Sequence, residues 1–98
     1  MSTYTIHVAT ELGTYLSSRR SAGALRQRIE AGNVPVLIDF SGVQSLSDSF
    51  ADEFFAVLVQ NHGHQWFVAN VSVKGLADEN RHTVLRAIHL RCESQPVG

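Results

Sequence analysis

Hydrophobic and polar positions change period along this chain, and each change marks an element. Tyr4, Ile6 and Val8 alternate with Thr5 and His7. That is the period of a strand with one covered face, and an edge position is expected for it. Ala9 to Leu16 carries no clear period, and Gly13 interrupts it, so a hairpin and a loop both remain open there. Ser17 and Ser18 offer N-caps for a helix running to about Ala31. Ala22, Leu25 and Ile29 form its narrow apolar stripe, and Gly32-Asn33 ends it. Pro35 opens an almost uninterrupted apolar run, Val36, Leu37, Ile38 and Phe40. Such a run predicts a central strand covered on both faces.

A polar segment, Gln44 to Ser49, then leads into a second helix over about Ser49 to Asn61. Phe50, Phe54, Val57 and Leu58 recur there at helical spacing, so this helix is expected to be the most buried. His62-Gly63-His64 is its stop. Trp66 to Ala69 predicts a short strand, Asn70 to Lys74 a loop, and Gly75 to Arg91 a third helix. Leu76, Val84, Ala87 and Ile88 make that helix's core stripe. Strands alternating with helices imply βαβ units with right-handed crossovers. The expected architecture is one α/β domain over residues 1–98, with its core at about 4–91 and a frayed tail at 93–98.

Composition narrows the class. The 98 residues are 44% hydrophobic, enough for one core without covalent staples. A net charge of −1 argues against a nucleic-acid-binding domain. No apolar run reaches membrane-spanning length, and the N-terminus lacks the pattern of a signal peptide. A single cysteine, Cys92, allows no internal disulfide and fits a reducing compartment. A cytoplasmic domain is expected.

Candidate chemistry gathers between the central strand and the second helix. Ser47, Asp48, Ser49, Asp52 and Glu53 crowd around the helix start. Part of this is capping: Ser49 with Asp52 three residues on approximates a capping box, and first-turn acids suit the helix dipole. The cluster exceeds what one cap requires. A serine at a helix start is also a place where added phosphate meets free N–H groups. Arg19, at the start of the first helix, is disfavoured by the dipole and is expected to hydrogen-bond carbonyls or a partner's anion, in a structural or partner-binding role. His62 and His64 have no Cys or Glu pair at ligand spacing, so no metal or other cofactor is expected. Neither a nucleophile elbow nor a phosphate-binding glycine loop is present.

The run Val36 to Phe54, with Asp39-Phe40-Ser41-Gly42-Val43 followed by Ser47-Asp48-Ser49-Phe50, resembles the STAS domain of anti-sigma-factor antagonists. Against that family's D-S-S-G block only Ser49 is retained, at the position the family phosphorylates, and Phe50 stands where the family has glycine. The chain looks closer still to the STAS-like family of unknown function, through the serine-rich bridge, Phe50-Ala51-Asp52-Glu53-Phe54 and the upstream Ser18-Arg19.

The resemblance implies a small STAS-like α/β domain, with a mixed sheet of about four strands and helices on one side. It implies a non-catalytic protein-interaction module in bacterial signalling or transcriptional regulation. The implied partner is a kinase-like ATPase or an anti-sigma factor. Ser49 is the candidate phosphorylation site. The expected partner-binding residues are Ser45, Ser47, Asp48, Ser49, Asp52, Glu53 and Arg19. A small hydrolase or transferase using the Ser47–Glu53 loop is the alternative.

Overall fold

The computed structural model describes residues 4–93. Three strands form its main sheet: β1 (Tyr4–His7), β3 (Val36–Asp39) and β5 (Val71–Lys74), in the order β1-β3-β5. Both ladders are parallel, in a register that lines up His7, Asp39 and Lys74 in one row. A second small parallel pair joins β2 (Tyr15–Leu16) to β4 (Ser45–Leu46). The total of five strands is close to the four expected. All ladders among the described residues are parallel, where a mixed sheet was expected. Each main strand returns through a helical crossover rather than a hairpin, which explains the difference.

Side chains of the main sheet divide by face. Ile6, Val36, Ile38 and Val71 are buried on one face, under the helices. The other face carries half-buried Leu37 and exposed His7, Ser72 and Lys74. The central strand is therefore covered on one face, not two. An open sheet with helices on a single side leaves the far face to solvent, and the apolar run did not distinguish that case. Ala9 to Leu16, open in the sequence, divides into a single helical turn α1 (Val8–Leu12) and β2.

The helix α2 (Arg19–Glu30) begins as expected, with Ser18 Oγ accepting the Ser21 N–H at 3.1 Å. Its buried residues are Ala22, Leu25 and Ile29. The central helical stretch runs from 48 to 62 in three parts: α3 (Asp48–Ala51), a π turn (Asp52–Ala56) and α4 (Val57–His62). It lies between α2 and α6 (Asp78–Glu93), touching both. Phe50, Phe54, Phe55 and Leu58 are fully enclosed along it. Phe54 and Phe55 meet edge to face with centroids 4.8 Å apart. The π turn makes this possible. Val57 N–H donates to the Asp52 carbonyl five residues back, and the extra residue turns both Phe54 and Phe55 into the core. Val57, assigned to the buried face by regular helical spacing, is only half-buried.

One prediction fails between 64 and 74. Trp66 to Ala69 belongs to a helix, α5 (His64–Asn70), and the strand is β5, where a loop was expected. A four-residue apolar run cannot separate strand from helix by period. The alternation Val71-Ser72-Val73-Lys74 is the strand signal, with Val71 buried and Ser72 and Lys74 exposed. Gly75 then passes close under Ser41. A Cβ there would stand 2.5 Å from the Ser41 nitrogen, and φ is +80°, so only glycine fits. The expected tail at 93–98 lies, beyond Glu93, outside the described residues.

Candidate functional site

The chain leaves β3 at its carboxyl end, as ligand-binding loops of parallel sheets do. Asp39 closes the strand there. Hydrogen bonds from the Ser41 hydroxyl and backbone N–H, the latter 2.9 Å to Oδ1, hold its carboxyl below the usual range. Lys74 and His7 flank it at 3.8 and 3.4 Å. The loop then crosses β4, where Ser45 is exposed.

Ser47, not Ser49, caps the central helix. Ser47 Oγ accepts the Phe50 N–H at 3.1 Å and donates to the Ser17 carbonyl at 3.3 Å. Asp48 and Ser49 therefore fall in the first turn, two residues deeper than the sequence placed them. This changes the role of Ser49. Freed from capping, it lines a cavity of about 230 Å³ with Arg19, Asp48, Asp52, Arg86 and Leu90.

The acids around Ser49 are each neutralised in place. Arg86 Nη2 donates to Asp48 Oδ1 at 2.6 Å. Arg91 grips Asp52 through two hydrogen bonds, 2.7 Å from Nε and 2.6 Å from Nη2, and Arg19 Nη1 adds a third at 3.0 Å. Arg91, then Arg19, overcomes burial and draws the Asp52 carboxyl down to about 2. Glu53 accepts from Arg26 Nη2 at 2.9 Å and from Arg19 Nη1 at 3.4 Å.

The π turn contributes here as well. In a regular helix Val57 N–H would reach the Glu53 carbonyl. It reaches Asp52 instead, and the Glu53 carbonyl accepts Arg26 Nε at 3.0 Å. Arg26 continues to Glu30 at 2.7 Å, and Glu30 Oε2 also accepts from Asn61 at 3.0 Å and meets His62 Nε2 at 2.9 Å.

The structure thus brings Arg19, Asp48, Ser49, Asp52 and Glu53 together. Ser45 stands apart on β4, and Ser47 is occupied as a cap. Sequence reasoning missed Arg26, Arg86 and Arg91. Arg26 carries a weak signal, Glu30 four residues on. Arg86 and Arg91 lie 38 and 39 residues from their partners, and no local pattern links them. Among the described residues no group of three or more His, Cys, Asp or Glu is placed to hold a metal. None of the described helices is long and apolar enough to cross a membrane.

A small parallel α/β domain with an arginine-buttressed serine at a helix start is the class that fold and site define. The model of one family, described as a STAS-like domain of unknown function (DUF4325), matches residues 21–81. That is more than half of the chain, and the chain belongs to this family. No curated protein matches the chain, and no solved structure does.

Proposed function

We propose that this domain is a non-catalytic protein-interaction module of bacterial signalling or transcriptional control, switched by phosphorylation of Ser49. Its partner is an ATP-binding, kinase-like protein or an anti-sigma factor, in the manner of the anti-sigma-factor antagonists it resembles. The observation that carries the reading is Ser49 itself, half-buried in the first turn and walled by Arg19 and Arg86. A phosphate there would add roughly two negative charges among guanidinium groups already committed to Asp48 and Asp52. It would draw Arg86 from Asp48 and Arg19 from Asp52, because charge-assisted bonds to phosphate are strong. Arg86 ties α6 to α3, and Arg19 ties α2 to the π turn. Modification would therefore rearrange a face built from α2, α3, the π turn and α6.

The test captures partners from a bacterial lysate on the immobilised domain, followed by mass spectrometry. The unmodified and Ser49→Ala domains should retain the same ATP-binding or sigma-regulating protein, and Ser49→Asp should lose it. Equal capture by all three would remove Ser49 from the interface.

A further inference from the structure

A second cavity, of about 360 Å³, opens on the other side of α6, between α5, β5 and α6. Its lining is mostly apolar. Phe55 and Phe67 stand in it with ring centroids 6.2 Å apart, and Val84 adds to the wall. Val68 and Leu85, 65% and 56% exposed, also line it. Two large apolar side chains left this open on one small domain mark a surface that gains by being covered.

The ionisable side chains that line this cavity are His64, Lys74 and Arg81, and no carboxylate accompanies them. All three are exposed, so they stand at its mouth. Their existing ties are long. Lys74 Nζ lies 3.8 Å from Asp39, and Arg81 lies 3.9 Å from Asp78. The Arg81–Asp78 pair is exposed and contributes little, so Arg81 can turn to another anion at small cost. Asp39 is largely buried, but it keeps the Ser41 N–H and His7 when the exposed Lys74 ammonium turns away.

From the apolar chamber and the basic side chains that line its mouth we infer that this cavity binds a free medium-chain carboxylate. The alkyl chain lies against Phe55, Phe67 and Val84, and the carboxylate meets Lys74 and Arg81. The volume falls within the roughly 300–1,000 Å³ of small-molecule sites. Charge decides the class of ligand. Lysine and arginine offer donors only, so the head group must accept, and a carboxylate adds a charge-assisted bond that a neutral alcohol head does not.

Calorimetric titration with decanoate and with decanol tests the assignment, with methyl NMR to locate the contact. Decanoate should bind the unaltered domain saturably at one site, about tenfold more tightly than decanol, and shift the methyls of Val68, Val84 and Leu85. The Lys74→Gln/Arg81→Gln domain, checked by circular dichroism, should bind decanoate no better than decanol. The unaltered protein alone already decides the question. Equal affinity for the two ligands, no saturation below the micellar concentration, or shifts confined to other methyls would each overturn the proposal.

Discussion

The Arg91 guanidinium, near the end of α6, holds the Asp52 carboxylate of the π turn through two hydrogen bonds of 2.7 and 2.6 Å. The pair fastens the last helix to the central one, across 39 residues of sequence. Arg91 is its larger cause of acidity and Arg19 the smaller, and together they lower the Asp52 carboxyl from 3.8 to about 2. A carboxyl depressed in the folded state stabilises that state above its unfolded value. That contribution fades as pH falls from about 4 to about 2. With a partly exposed side chain it amounts to about 1–2 kcal/mol. Asp39 and Glu30 are lowered too, so acid sensitivity has several sources. Urea denaturation of the parent and of Asp52→Asn should therefore differ by this amount at neutral pH and converge near pH 2. A constant difference across that range would mean that Asp52 gains nothing from its ionised form.

Ser47 takes the capping role that the sequence suggested for Ser49. The Ser47 hydroxyl holds the Phe50 N–H, so Ser47→Ala should cost about 1 kcal/mol. Ser49 makes no capping bond, so Ser49→Ala should stay within about 0.5 kcal/mol of the parent. Thermal or chemical denaturation of the two single variants reads the contrast directly. The reverse order would restore Ser49 as the cap and take away its freedom to be modified.

Phe54 is fully buried beside Phe50 and Phe55. Phe54→Ala should cost about 3–5 kcal/mol, because neither the helix on each side nor the ring neighbours can close the space. A midpoint shift in denaturant worth less than about 1 kcal/mol would place the ring at the surface.

The architecture was legible where long periodic segments carried it. Ala22, Leu25 and Ile29 predicted the buried stripe of α2, and the run Val36 to Phe40 predicted the central strand. Regular spacing failed in the central helix. A π turn adds one residue without any compositional mark, so Phe55 enters the core and Val57 partly leaves it. The stretch 64–74 failed because Trp66 to Ala69 is too short to show a period, and the alternation of Val71 and Val73 spans only four residues. At the site, the serines and acids were visible as a local cluster. Their neutralisation by Arg26, Arg86 and Arg91 was not, because it depends on helix packing between distant segments. The consequence is physical. Acids that stand as a bare cluster in the sequence are, in the fold, each paired to an arginine.

The most direct measurement of that switch uses the domain carrying phosphoserine at position 49. Its affinity for the captured partner is compared by calorimetry with that of the unmodified domain, with circular dichroism confirming an unchanged fold. The account predicts at least a tenfold loss, about 1.4 kcal/mol, as Arg19 and Arg86 leave Asp52 and Asp48 for the phosphate. Equal affinity of the two forms would contradict it and leave the arginines and acids around Ser49 as ties between helices alone.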